Sequence, residues 1–153
     1  FKVWKTKFGN IGVGICWDQW FPEAARIMAL KGADILFYPT AIGDEPKSQY
    51  DSSGAWQRVM QGHAAANVMP VVASNRIGFE TVKGQTNGFY GKSFICDRSG
   101  EILSEASKDK EEIITAEINI EEDHLFRRNW GLFRDRRVEL YKELLTLNGE
   151  IKD

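Results

Sequence analysis

The sequence predicts an α/β fold with a largely buried sheet, and two patterns predict it. Residues 11–16 and 35–38 are short apolar runs of strand type, and the apolar positions between them recur at helical spacing. A strand, a helix and a second strand in direct succession are typical of α/β folds, in which helices cover the sheet. The 153 residues, 42% of them apolar, suffice for one core. The chain thus has the length of one ordinary domain.

The first elements are defined by turn and helix-start residues. Residues 3–8 and 11–16 predict two strands joined by a turn at Gly9-Asn10. Pro22 and Glu23 suit the first turn of a helix, where a missing N–H is tolerated and a negative charge is favoured. This helix is predicted to end at Gly32.

The later elements follow without a repeat or a linker. A second helix is predicted over residues 55–68, and Pro70 explains why it ends there. Residues 71–75 are predicted to form another buried strand. A Gly-rich loop is then followed by two strands, by a further strand over residues 112–118, and by a mostly helical segment over residues 121–147. The strand pattern begins almost at Phe1 and no initiator Met precedes it. We therefore expect the chain to continue upstream.

Composition argues against several classes of function. A net charge of −2 and a pI near 5.8 give no electrostatic reason to expect nucleic acid or an anionic membrane as a partner. No apolar run reaches the roughly 18–20 residues that span a bilayer. With two cysteines only, a disulfide framework is not expected, and the chain is predicted to be cytoplasmic.

Cys16 is the first candidate for chemistry, since it lies between a predicted strand and a predicted helix. Open α/β sheets place their sites where such strands end, and a turn there can present the sulfur together with the backbone N–H of Trp17. The alternative is a buried cysteine at the end of a core strand, which is the more common situation of a free thiol. Both readings stay open on the residues alone, and Cys96 is interpreted as a core residue.

A thiol also needs a base or a cation to become a reactive thiolate, and the chain offers little. His63 is predicted to be a structural histidine on a buried helix face, and His124 a solvated side chain. Asp18 is expected to stabilise the turn after Cys16. The spacing of cysteines and histidines fits no zinc site, and the glycines match neither the dinucleotide fingerprint nor a P-loop. We therefore predict no metal and no cofactor.

Four blocks of sequence carry a resemblance to a known family. They are "GVGICWDQWFPEAARIMALKGADILFYPTAIG", "HAAANVMPVVASNRIG", "FYGKSFICDRSGEIL" and "FRDRRVELY", in this order. Together they resemble the nitrilase, or carbon–nitrogen hydrolase, superfamily, and within it most closely the branch that hydrolyses N-carbamoylputrescine. The resemblance implies a four-layer αββα sandwich. It also implies that residues 1–153 are the C-terminal half of one such domain, with the N-terminal half absent.

The resemblance implies a mechanism that this chain holds only in part. Family members use a Glu base, a Lys that stabilises the oxyanion, and a Cys nucleophile. The matching block gives the nucleophile role to Cys16 and an oxyanion-binding role to the Trp17 N–H. The family Glu and Lys lie upstream of the Cys, and no residue here matches them. The chain alone is therefore expected to be inactive.

The implied substrate is a small carbamoyl amine, hydrolysed to putrescine, CO₂ and ammonia in polyamine biosynthesis. Because this substrate carries an ammonium group, we expect an acidic residue in the pocket, with Glu45 the best placed and Asp44 second. Alternatives are a β-ureidopropionase, another ω-amidase or nitrilase-like hydrolase, and a non-catalytic half that serves assembly. The resemblance also implies homo-oligomers built from nitrilase-type dimers.

Overall fold

The computed structural model describes residues 1–44 and 50–151. A six-stranded sheet forms the centre of the fold, with the strand order β1-β2-β3-β4-β7-β8. These strands are β1 (Val3–Thr6), β2 (Gly9–Val13), β3 (Ile35–Thr40), β4 (Val71–Asn75), β7 (Phe94–Cys96) and β8 (Ile102–Glu105). Strands β2, β3 and β4 are parallel neighbours, and the remaining pairs are antiparallel. The predicted α/β class is confirmed.

Two helices, α1 (Pro22–Leu30) and α2 (Ser53–Asn67), connect the parallel strands and pack together on the sheet. Alanine and methionine side chains of these helices pack against the side chains on the helix-facing side of β3 and β4. The resulting core contains Ala25, Met28, Leu36, Tyr38, Trp56, Met60, Ala64, Val71, Ala73 and Phe94. Along β3 the buried residues alternate with half-buried or exposed ones, so the helices cover one face of this strand.

The first turn differs from the prediction. Gly9 and Asn10 belong to β2, and the turn consists of Lys7 and Phe8. The Thr6 hydroxyl explains the shift, because Oγ1 donates to the Gly9 carbonyl at 2.6 Å and accepts from the Phe8 N–H at 3.1 Å. The Thr6 side chain thus places the turn two residues before the predicted Gly9-Asn10 pair.

Two further predictions about the second half of the chain are wrong. Residues 112–118 show alternating exposure, but among the described residues no strand pairs with them. The Gly-rich loop, in contrast, contains a two-stranded hairpin of β5 (Phe79–Val82) and β6 (Gln85–Gly88). The helical prediction for the C-terminal segment holds over α3 (Ile120–Trp130), which ends at Gly131 in the left-handed conformation; short 3₁₀ turns follow at Val138–Leu140 and Lys142–Leu145.

Helix α3 lies near the amino ends of the parallel strands. The sequence predicts a solvated His124, yet its Nε2 lies 2.5 Å from Oδ1 of Asp34, a buried carboxylate that also accepts the Asn10 N–H at 2.6 Å. Arg127 donates to the carbonyls of Val68 and Ala33. Because these contacts hold α3 at the opposite end of the strands, the carboxyl ends are left to the Cys16 region. Within the described ranges, no helix is long and apolar enough to cross a membrane.

Candidate active site

Cys16 opens a short 3₁₀ turn, Cys16–Trp20, which leads from β2 into α1. Its φ of 51° lies in the left-handed region that non-glycine residues rarely adopt. Preceding it, the Gly14 N–H donates to the Phe37 carbonyl at 3.0 Å and so extends the parallel ladder towards the thiol. Cys16 is partly exposed and has no disulfide partner. A reactive group at this position faces the edge where the parallel strands end.

Asp18 closes this turn, as predicted. Its Oδ2 accepts the Ile15 N–H at 3.1 Å, and its own N–H donates to the Ile15 carbonyl at 3.2 Å. Glu23 lies in the first turn of α1, where a carboxylate interacts favourably with the helix dipole. Both acidic residues near Cys16 therefore have a structural role.

Trp17 follows the thiol and is mostly exposed, with 67% of its surface accessible. Its ring meets Trp20 edge to face, with centroids 6.3 Å apart. The first N–H groups of a helical turn have no carbonyl within that turn to bind, so this region is rich in donors. The sequence-predicted pair of a thiol and the next amide thus occupies the start of one short turn.

Beneath the turn lies a buried polar network that the sequence reasoning missed. The Gln19 side chain accepts the Trp56 Nε1–H at 2.8 Å and donates to the Thr40 hydroxyl at 3.2 Å. The Gln19 carbonyl is 2.8 Å from Nε2 of His63. One sequence signal could have indicated this network: Gln19 is a polar residue in a mostly apolar stretch, three residues after the candidate nucleophile.

His63 is structural, as predicted, and the network explains its state. Since a carbonyl only accepts, Nε2 of His63 carries the proton in this hydrogen bond. Burial lowers the pKa of His63 below its ordinary 6.5, while the Gln19 carbonyl and the Glu23 charge oppose that shift. His63 is therefore a neutral donor that holds α2 to the Cys16 turn.

This pKa shift predicts a dependence of stability on pH. The unfolded chain takes up a proton at His63 at a higher pH than the folded chain does. The contribution of His63 to the free energy of unfolding is thus complete above pH 6.5 and is lost as the pH falls towards the folded pKa. Urea unfolding of the chain and of His63→Gln from about pH 7.5 to 5 measures this. The wild type should lose more stability on acidification; equal losses would contradict the assignment.

Asp44 and its loop lie beyond β3, next in the sheet to the strand that precedes Cys16. The Asp44 N–H donates to the Gly88 carbonyl at 2.7 Å, and Gly43 forms an isolated bridge with Phe89. A Cβ on Gly43 would lie 1.9 Å from the Gly88 oxygen, so only glycine fits this approach. The Asp44 side chain is exposed. Glu45, the preferred candidate, lies outside the described residues.

Asn75, the last residue of β4, holds the residue that precedes Gly43. Its side chain accepts the Ile42 N–H at 2.9 Å and donates to the carbonyls of Ile42 and Gly91, each at 3.0 Å. The loop that carries Asp44 is therefore held from β4 as well as from β6.

The second cysteine lies far from this chemistry. Cys96 is fully buried in β7, and burial raises the pKa of its thiol to about 12. The thiol is thus protonated at neutral pH and inaccessible. Among residues 1–44 and 50–151, no group of three or more His, Cys, Asp or Glu side chains is arranged to hold a metal ion.

Comparison with known proteins relates this geometry to a family. The profile of the carbon-nitrogen hydrolase family matches residues 1–128. The N-carbamoylputrescine amidase of Oryza sativa subsp. japonica is 57% identical over 98% of this chain and 52% of its own length. A citrullinase from Francisella tularensis is 58% identical over 95% of this chain and 51% of its own length. The chain therefore spans about half the length of these relatives.

Comparison with solved structures points to the same family. A carbon-nitrogen hydrolase from Helicobacter pylori G27 superposes with a TM-score of 0.84 and 44% identity over 93% of this chain and 51% of that protein. Nit3 from Saccharomyces cerevisiae, a nitrilase-superfamily member, gives a TM-score of 0.72 and 32% identity over 89% of this chain and 47% of that protein. The expected resemblance and the nitrilase-type fold are confirmed, and the chain belongs to the carbon-nitrogen hydrolase family.

Proposed function

We propose that Cys16 is the nucleophile of an amidohydrolase that converts N-carbamoylputrescine to putrescine, CO₂ and ammonia. The observation that carries the proposal is the placement of a partly exposed thiol, in a left-handed turn, where the parallel strands end. Relatives from Oryza sativa and Arabidopsis thaliana named N-carbamoylputrescine amidase, 57% and 56% identical to this chain, support the substrate. The reaction belongs to polyamine biosynthesis and, with two free cysteines in the chain, we place it in the cytoplasm.

The proposed reaction proceeds in two steps. The Cys16 thiolate attacks the ureido carbon, and the Trp17 N–H donates a hydrogen bond to the oxyanion that develops. The bond between this carbon and the putrescine nitrogen then breaks, and the amine leaves with a proton. Water hydrolyses the resulting carbamoyl thioester, which restores the thiol and releases carbamic acid. Carbamic acid decomposes to CO₂ and ammonia, so the atoms balance.

We further propose that residues 1–153 are the C-terminal half of one hydrolase domain. Its relatives extend over about twice this length, and no residue of the chain matches the Glu base or the Lys of the family. The full-length enzyme is then this chain together with the upstream half that we propose precedes Phe1. Its assembly would be a homo-oligomer built from nitrilase-type dimers.

The test of this proposal compares the chain alone with the full-length enzyme. We expect the chain alone to turn over N-carbamoylputrescine at least about 10²–10³-fold more slowly, since loss of a single oxyanion donor already has that effect. Ammonia release measures both proteins, and the chain carrying Cys16→Ala gives the background. Turnover by the chain alone at a rate near that of the full-length enzyme would overturn the proposed division of the site.

Asp44 and Glu45 are proposed to bind the substrate ammonium. In the full-length enzyme, Asp44→Asn or Glu45→Gln is expected to raise KM for N-carbamoylputrescine about fivefold, the equivalent of a partly exposed ion pair worth roughly 1 kcal/mol. An uncharged alkylurea of the same length should show little change, because it has no ammonium group. Steady-state kinetics with both substrates make the comparison.

The control for these variants is Glu105→Gln, which removes an exposed carboxylate on β8 that accepts a hydrogen bond from Gln57. It should change neither KM. If Asp44→Asn and Glu45→Gln affected the charged and the uncharged substrate equally, the assignment of these carboxylates to the ammonium group would be wrong.

A second candidate substrate is citrulline, because a relative named citrullinase is 58% identical to this chain. Citrulline carries the same ureido group as N-carbamoylputrescine and differs at its far end, where a carboxylate accompanies the ammonium group. The ratio of kcat/KM for the two substrates in the full-length enzyme decides between them. An acidic pocket that binds the ammonium group favours N-carbamoylputrescine, since it would repel the citrulline carboxylate.

A further inference from the structure

We infer that Gln19 is a positioning residue for catalysis, which fixes the turn that presents the Cys16 thiol through hydrogen bonds to β3 and α2. The inference rests on the proposed role of Cys16 and adds a residue to which the comparisons assign no role. Gln19 is 1% exposed, although glutamine is usually a surface residue. A buried amide is costly unless its donors and acceptors are satisfied, so its partners indicate what it does.

The side chain of Gln19 joins two elements that flank the site. Its Oε1 accepts the indole N–H of Trp56 on α2, at 2.8 Å. Its Nε2 donates to the hydroxyl of Thr40, the last residue of β3, at 3.2 Å. One amide thus connects the Cys16 turn to the helix beneath it and to the strand end from which the Asp44 loop departs.

The backbone of Gln19 is held independently of its side chain. Its carbonyl accepts the Nε2–H of His63, which lies on α2 about two turns beyond Trp56. His63 is 4% exposed, and its own carbonyl accepts the Asn67 side-chain N–H at 2.8 Å. Main chain and side chain of the same residue are therefore fixed to the same helix.

The geometry of the turn couples this anchor to the thiol. Gln19 lies three residues after Cys16 in the same five-residue turn, Cys16–Trp20, so a shift of Gln19 is passed along this short backbone segment to the residue that bears the thiol. Cys16 also has an unfavourable φ of 51°, which persists only where the surroundings hold it. A further side-chain hydrogen bond at this turn, from the Ile15 N–H to the Asp18 carboxylate, is exposed. Gln19 supplies the buried anchor.

The test measures kcat and KM of the full-length enzyme carrying Gln19→Leu, which replaces the amide by an apolar side chain of similar size and removes both amide hydrogen bonds. We expect kcat to fall roughly 10–100-fold, because small misplacements of a reacting group have effects of this size. KM should stay within about twofold, since Ile42, two residues before Asp44, is held separately by Asn75. Thr40→Val, which removes the hydroxyl that accepts from Gln19, should lower kcat less than Gln19→Leu does. Thr40→Ser keeps this acceptor and should have the kcat of the wild type.

A matched control removes a similar bond from α2 at a distance from the turn. Gln61 donates to the Gly100 carbonyl at 2.8 Å, so Gln61→Leu makes the same exchange of side chains, removes one hydrogen bond of α2 and should leave kcat unchanged. Because Gln19→Leu leaves the Trp56 N–H buried without a partner, Gln19→Leu combined with Trp56→Phe removes both groups and guards against misfolding. Assays are run where circular dichroism shows each variant folded.

Two outcomes would overturn the inference. One is an unchanged kcat in folded Gln19→Leu or in its combination with Trp56→Phe. The other is an equal fall of kcat in Gln61→Leu, which would show a general effect of stability. Failure of the proposed function is a separate result, because it would appear as retained activity in Cys16→Ala whatever the Gln19 variants do.

Discussion

Replacement of Cys16 by alanine in the full-length enzyme is expected to lower kcat by roughly 10⁴–10⁶-fold, the range found when a covalent nucleophile is removed. In the proposed mechanism the thiol forms the bond to the ureido carbon, so no carbamoyl thioester is expected without it. Ammonia release under saturating substrate measures the loss. Mass spectrometry of the wild-type enzyme, quenched during turnover, should show the carbamoyl group on a peptide that contains Cys16.

Cys96→Ala is the matched control for this experiment, since it removes the other cysteine of the chain. Cys96 lies in the core strand β7 and is fully buried, so the variant should lose some stability and keep kcat. Activity retained in Cys16→Ala, or lost equally in both variants, would contradict the assignment of the nucleophile. Alanine keeps a Cβ at residue 16, so the comparison isolates the sulfur from the backbone strain.

Replacement of Trp56 by alanine is expected to destabilise the chain by about 3–5 kcal/mol, the usual cost of truncating a buried tryptophan. Trp56 is 1% exposed, and its ring meets Phe94 edge to face at 5.6 Å and Tyr90 at 6.3 Å. The variant also leaves Oε1 of Gln19 without its donor. Because folded proteins are stable by only about 5–15 kcal/mol, the loss is a large part of the total. Urea unfolding of the 153-residue chain measures it.

Two variants separate the contributions to this loss. Trp56→Phe keeps most of the aromatic packing and removes the indole N–H, so it should cost about 1–3 kcal/mol, the effect of one unsatisfied buried acceptor. Trp130→Ala removes a tryptophan that is 61% exposed and stacked on Phe126, and it should cost about 1 kcal/mol or less. Equal destabilisation by Trp130→Ala and Trp56→Ala would contradict the place of Trp56 in the core.

The sequence patterns predict those parts of the fold that depend on residues close together in the chain. The β2-α1-β3 order follows from apolar spacing together with Pro22, and the role of Asp18 follows from its place in the turn. The turn at Lys7-Phe8 was missed, because a threonine hydroxyl decided it against a stronger Gly-Asn signal. Residues 112–118 have a strand-like pattern, but strand formation also needs a neighbour to pair with, which sequence spacing does not reveal.

The site shows the same division. Cys16 and Trp17 can be proposed from the sequence because they are adjacent and lie at a junction that chain order defines. Gln19 was missed because its partners are Thr40, Trp56 and His63, between 21 and 44 residues away. His124 was interpreted as solvated for the same reason, since Asp34 lies 90 residues before it. Long-range hydrogen bonds of this kind follow from topology.

The left-handed backbone at Cys16 lowers the stability of the chain at the residue that bears the proposed nucleophile. A residue with a Cβ costs about 1–2 kcal/mol in this conformation, whereas glycine adopts it freely. Glycine at residue 16 would therefore relieve this cost, but it would also remove the thiol that we propose as the nucleophile. Under the proposed mechanism, a copy of the protein with glycine at this position would keep the fold and lack hydrolytic activity.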